Sequence, residues 1–271
     1  MNISFLNDGI SANIVFVFKY LKYYFSSVSK HGVHSPFVFD LVVNVFEDKK
    51  IYTEYQQIEE LRIKLTSSSQ VIDVKDYGAG SVINGSSKRK VGDIARNSAK
   101  SPKYGQLLFR LVKRFKPQNI VEIGTSLGIS TLYQSLHFDG VKLTTLEGCP
   151  QTAELAKANF KSLNVTNIKL VIGNFDESLE SVLENLKSVD YVFFDGNHRK
   201  EPTIKYFEQC LEKTHNDTVF VFDDIHWSDE MEEAWKWIKN HKKVTVTIDL
   251  FFLGLVFFRK EQVKQHFLIK H

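Results

Sequence analysis

The sequence is short of several things that would each point to a class. Its 271 residues include only two cysteines, Cys149 and Cys210, in separate stretches. Two such thiols make no disulfide framework, and free, partly buried thiols suit a reducing cytosol. Charge of one sign is also lacking, since 35 basic residues against 32 acidic ones leave +3. There is no basic field to hold nucleic acid. No Asn-Pro-Pro-Tyr or Asp-Pro-Pro-Tyr segment of nucleic-acid-modifying enzymes occurs either. Long apolar runs are missing. Ile14 to Phe25 is apolar and aromatic, but it carries Lys19 and Lys22 and is too short to span a bilayer. The start has no secretory pattern, because Asn7-Asp8-Gly9 precedes the first apolar run. No internal repeat or low-complexity run is found. The expectation is a cytoplasmic globular chain without a transmembrane segment.

What is present begins with a 43% hydrophobic fraction and 22 phenylalanines, enough for a real core. Residues 1–100 read as a helical cap with a turn-rich loop, and 101–271 as a second, regular domain. Ile14 to Ser26 is an aromatic helix that must bury against the main domain or a second subunit, as in a homodimer through these helices. A lid over an apolar substrate, or a peripheral membrane contact, is its sharper alternative. His31-Gly-Val-His34-Ser-Pro36 is a turn leading into a helix, Phe37 to Phe46. Ile51 to Lys64 is a third helix. Asp76 to Gly80 and Gly85 to Lys90 are rich in turn residues, as a gating loop or a solvated connection.

From Ser101 the pattern is regular. Tyr104, Leu107, Leu108, Leu111, Val112 and Phe115 mark one helix face. Strands then alternate with helices. They are Ile120 to Ile123, Val141 to Leu146, Ile168 to Ile172, Tyr191 to Phe194 and Val219 to Phe222. Alternation of this kind predicts a parallel sheet with helices on both faces. Val244 to Leu250 and Leu255 to Arg259 follow, joined by Phe251 to Gly254. That link is too short for a parallel crossover, so the pair must be an antiparallel hairpin. The expected fold is α/β, a Rossmann-like doubly wound sheet of seven strands, mostly parallel, closed by that hairpin.

The first strand feeds Glu122-Ile-Gly124-Thr125-Ser126-Leu-Gly128-Ile-Ser130 and then a helix. Glycines let the backbone approach a ligand, and a helix N-terminus offers free N–H groups. The spacing is neither the G-x-G-x-x-G of dinucleotide enzymes nor a P-loop. Later strands end in Glu147, in Gly173-Asn174-Phe175, in Asp195-Gly-Asn-His198 and in Asp223-Asp224-Ile-His226-Trp227.

These segments together resemble the class I S-adenosylmethionine-dependent methyltransferases. The closest likeness is to metal-dependent small-molecule O-methyltransferases of the catechol and macrolide-sugar type, over roughly residues 100 to 260. The resemblance implies S-adenosylmethionine as cofactor, with Glu122, Gly124, Thr125, Ser126, Gly128 and Ser130 in the first motif. Glu147 stands where the family's acidic ribose ligand stands, and its carboxylate can accept from two hydroxyls. Asn174 and Phe175 line the adenine in this reading, Phe175 by stacking. Asp195, Asp223 and Asp224 end adjacent strands, where like charges repel unless a cation joins them. Oxygen ligands without cysteine favour Mg²⁺, which would lower the pKa of an acceptor hydroxyl. Catechol-type enzymes carry Asp-Asn where this chain has Asp223-Asp224. His198 is the expected general base beside Asp195, with His226 its rival. The acceptor is expected to be a small, partly apolar molecule. The alternatives are a nicotinamide-dependent oxidoreductase, disfavoured by the glycine spacing and the absence of Tyr-x-x-x-Lys after the fourth strand, and a non-catalytic cofactor-binding module.

Overall fold

The computed structural model describes residues 4–74 and 88–271, with side chains from residue 14. The expected gating turn at Asp76 to Gly80 lies outside the described residues. The chain opens with α1 (Ser4–Ser26) and a 3-10 turn, Lys30–Gly32. Ser35 caps α2 (Pro36–Leu41), its hydroxyl accepting from the Val38 N–H, and Pro36 fills a first-turn position that needs no donor. One π turn, Val42–Phe46, prolongs it. Next come α3 (Thr53–Thr66), the antiparallel pair β1 (Val71–Asp73) and β2 (Lys88–Lys90), and α4 (Val91–Asn97). The sequence reads Lys88 to Lys90 as part of a turn. Three charged residues have no apolar period, so only their pairing to Val71–Asp73 makes them a strand.

The regular half follows its pattern closely. After α5 (Pro102–Phe115), elements alternate as β3 (Asn119–Ile123), α6 (Ile129–Ser135), β4 (Lys142–Glu147), α7 (Pro150–Ser162), β5 (Ile168–Ile172) and α8 (Phe175–Glu184). The run continues through β6 (Tyr191–Phe194), α9 (Lys200–Leu211), β7 (Val219–Asp223) and α10 (Asp229–Asn240). It closes with β8 (Val246–Asp249), β9 (Leu253–Phe257) and β10 (Gln265–Leu268). The sheet order is β10-β8-β9-β7-β6-β3-β4-β5. Strands β3 to β7 are mutually parallel, and β9 is antiparallel to β7 and β8. The sheet has eight strands where seven were expected. The extra one, β10, pairs parallel to β8. It is four residues long and half exposed, so the sequence carried no signal for it.

The chain leaves β3 for β4 and β5, then returns to lay β6 on the other side of β3. Outside the C-terminal ends of two such strands lies the crevice where open α/β sheets bind ligands. One face of the sheet packs Ile120, Val221 and Leu255 against Leu107 and Leu111 of α5, and against Val38, Leu41 and Val45 from the first hundred residues. The other face packs Val121, Phe194 and Phe222 against Phe207, Trp235 and Ile238. α3 and α4 pack on α5, α6 and α7 through Tyr55, Ile58, Ile94, Phe109 and Tyr133. α1 lies against the hairpin turn: the rings of Phe16 and Tyr20 meet Phe251 at 5.3 and 5.0 Å between centroids. Its other side is open, with Phe18 67% and Phe25 80% exposed. Among the described residues no helix is long and apolar enough to cross a membrane.

Candidate active site

The cradle starts where β3 stops. Gly124 takes φ +103°, and a Cβ there would stand 2.3 Å from the Asp195 carbonyl oxygen, so a side chain fits neither the conformation nor the space. Ser126 follows at φ +50°. Its N–H donates to Glu147 Oε2 at 2.8 Å, while the Cys149 N–H donates to Oε1 at 2.9 Å. The Glu147 carboxylate is thus fixed across the mouth of the turn, at the end of β4. Gly124, Ser126 and Glu147 form one wall of a cavity of about 180 Å³. Phe175, Asp195 and Asn197 form the second, and Val74, Arg89, Ile94 and Ser98 come in from the first hundred residues.

Glu122, Thr125, Gly128, Ser130 and Asn174, also expected around the cofactor, are not among the residues lining this cavity. Glu122 is fully buried. Its Oε2 accepts from the hydroxyls of Thr131 and Thr145, and its Oε1 from Gln134 Nε2 at 2.8 Å. Burial pushes its carboxyl up to about 7 against the pull of those hydrogen bonds. It ties β3, β4 and α6 together. Thr125 is equally inside, bonded to Thr145 at 2.6 Å. Ser130 is 6% exposed at the start of α6. Gly128 serves packing, because a Cβ would strike the Phe160 ring at 2.4 Å. Asn174 caps α8, accepting from the Asp176 N–H at 3.1 Å.

The acids gather at the ends of β6 and β7. Asp195, His198 and Asp223 each offer a ligand atom within 4.8 Å of the others. His198 Nε2 lies 3.7 Å from Asp195 Oδ1. Asp224, expected as the third metal ligand, is outside that set. Its φ is +52°, and its N–H donates to the Phe252 carbonyl at 2.8 Å. The sequence reading missed Lys100. Its Nζ is in direct contact with Asp223 Oδ2 and stands 3.5 Å from Asp224 Oδ1. Burial alone would lower the Lys100 pKa, but the charges of Asp223, Asp195 and Asp224 outweigh it and hold the ammonium charged. Burial and the Asp223 charge raise Asp195 well above the usual carboxylate range, and they raise Asp224 too. Nothing in sequence flags Lys100, beyond a basic residue just before the Ser101-Pro102 helix start.

His226 does not join the acids. Its Nδ1 meets Glu232 at 3.1 Å and its Nε2 meets Asp249 at 2.8 Å, with the ring stacked on Phe251. Both nitrogens are used in pinning α10 to the hairpin. Cys149 and Cys210 are both buried, with the Cys149 Sγ 3.5 Å from the Asp73 carbonyl oxygen.

Residues 121–225 match a family model described as a methyltransferase domain. A catechol O-methyltransferase of Niastella koreensis is 30% identical over 129 residues, covering 46% of this chain and 57% of that protein. A caffeoyl-CoA O-methyltransferase of Stellaria longipes is 26% identical over 132 residues, covering 47% of this chain and 54% of that one. The chain thus spans about half the length of the curated relatives it matches. An O-methyltransferase from Bacillus cereus, solved with SAH, shares the fold at TM-score 0.55 and 18% identity, over 77% of this chain and 92% of that one. A methyltransferase of Podospora anserina, also SAH-bound, reaches TM-score 0.58 at 14% identity, over 84% and 98%. Over residues 121–225 this chain is thus similar to a methyltransferase domain, and it shares its fold with solved O-methyltransferases.

Proposed function

We propose that the protein transfers the methyl group of S-adenosylmethionine to a hydroxyl of a small molecule. The observation that carries this is the placing of two parts side by side at the ends of the parallel strands. The Gly124–Ser126 turn faces Glu147, and Asp195 with His198 stands at the next strand end. The residues suit the cofactor. Gly124 leaves space that a Cβ would fill, and Glu147 presents a carboxylate to the ribose hydroxyls. Backbone N–H groups of the turn would take the amino-acid end, and Phe175 the adenine. The bound cofactor supplies an electrophilic methyl on a sulfonium.

The chain's own residues must prepare the acceptor. A hydroxyl attacks poorly until it loses its proton, and His198 is the base within reach of the acceptor side. Asp195 steadies the imidazolium that results. The carboxylates expected to bind Mg²⁺ already hold the Lys100 ammonium, so no step is routed through a metal. Residues 1–100 take the acceptor side in this reading and 101–271 the cofactor side, supported by Val74, Ile94 and Ser98 in the cavity wall. A partly apolar acceptor suits that apolar edge. Two buried cysteines in separate elements support a reducing, cytoplasmic setting. The open aromatic side of α1 supports a contact beyond the chain, with a second copy or a membrane surface. Calorimetric titration with S-adenosylhomocysteine tests the core of the proposal. One site per chain is expected, and no binding would overturn it.

A further inference from the structure

Asp223 ends β7 with its side chain 1% exposed, so its carboxylate has lost almost all contact with water. A buried carboxylate stays ionised only where a cation compensates it. That cation is on the chain itself. Lys100 leads into α5 from the connection after α4, and its side chain is only 14% exposed. Its ammonium touches Asp223 and lies within 3.5 Å of Asp224. Asp195 directly follows β6, the strand beside that of Asp223, which adds a third carboxylate to the cluster.

The donor atoms of Asp195, His198 and Asp223 lie within 4.8 Å of one another, so they could close on an ion. Asp223 would be shared between that ion and Lys100. A Mg²⁺ ion demands near-octahedral oxygens at about 2.0–2.1 Å and gives up its waters reluctantly. It would have to take oxygens already engaged by an ammonium, with a like charge at contact distance in a site that screens poorly. A lysine ammonium is compact, carries three donors and imposes no coordination geometry, so it suits a cluster of unevenly placed carboxylates.

We propose that Lys100 is the resident cation of this cluster, standing where a divalent ion would stand, so that the protein neither holds such an ion at Asp195, His198 and Asp223 nor needs one for turnover. The statement about turnover rests on the methyltransferase reading; the statement about ion binding does not.

The test uses the full chain as parent, as Lys100→Met and as Lys100→Met with Asp223→Asn. Mn²⁺ is titrated and its free signal followed by electron paramagnetic resonance. Thermal midpoints are taken in millimolar Mn²⁺ and in EDTA. The parent should show no stoichiometric Mn²⁺ site, and its midpoint should be the same in both. Lys100→Met should bind Mn²⁺ at least about tenfold more tightly than the parent, because the competing unit charge is gone. Its midpoint should rise with the ion, and the added Asp223→Asn should abolish both gains. One Mn²⁺ per parent chain at micromolar concentration would overturn the proposal. So would a folded Lys100→Met that binds Mn²⁺ no better than the parent. If Lys100→Met does not fold, the parent titration alone decides. Parent turnover should be unchanged by EDTA, and loss restored by Mn²⁺ would also overturn it. Ion binding and midpoints are read without turnover, so they judge Lys100 even if the methyltransferase reading fails.

Discussion

The sharpest consequences fall on single residues. Glu147 accepts from the N–H groups of Ser126 and Cys149 and lines the crevice. Glu147→Ala is expected to weaken S-adenosylhomocysteine binding by about 1–3 kcal/mol, the worth of a hydrogen bond to a charged group. Calorimetry measures it, and an unchanged affinity would remove Glu147 from the ribose. His198 should behave differently. His198→Ala is expected to lower turnover by about 10²–10⁴-fold while leaving that affinity nearly unchanged. A variant that loses only cofactor binding would speak against the base. Glu147, Asp195 and His198 could be nominated from sequence because parallel strands deliver their C-terminal residues to one edge; Glu147 and Asp195 line the cavity, and His198 stands beside Asp195. The sequence left the direction of Glu122 open, because a strand residue next to the glycine turn can point either way. Only the fold brings Thr131, Gln134 and Thr145 round to its oxygens.

At the scale of elements, Glu122 is a clamp with a pH signature. Its folded carboxyl is pushed up to about 7 from an ordinary 4.5, chiefly by burial. Between those values the unfolded chain has released a proton that the folded chain still holds. Stability from this group is therefore full below about pH 4.5 and falls as pH rises to about 7, by roughly 3 kcal/mol in all. Glu122→Gln should flatten that part of the curve of unfolding free energy against pH, as read by denaturant titration. A slope identical to the parent's would mean that Glu122 is not held neutral. The clamp joins β3, β4 and α6, so it braces the glycine turn that follows β3.

The whole molecule is closed by its two ends. Val28 bridges to Ile269, with its N–H on the Leu268 carbonyl at 2.9 Å and its own carbonyl accepting from Lys270 at 3.0 Å. Ile269 is fully buried in the cluster that contains Val246, Leu253 and Val38. Ile269→Ala is expected to cost about 2–5 kcal/mol of stability, by lost burial and by the cavity left behind. Chemical denaturation gives the number, and a loss well under 1 kcal/mol would mean that the edge collapses freely around the gap.

The sequence by itself determined the alternation of strands and helices, the antiparallel closing hairpin and the polar residues at the strand ends. These are local facts: an apolar period of one kind, a short link, a residue after the last apolar one. The tertiary structure alone decided which polar groups meet. Lys100 and Asp224 are separated by 124 positions, and no period relates them. The grouping of Asp195 and Asp223 with His198, from the loop after β6, is set by the packed chain. The fate of His226 was likewise set by Asp249 and Glu232 arriving from the hairpin and α10. Burial and charge compensation are properties of the packed chain. A sequence can nominate the acids, but only packing shows which cation answers them.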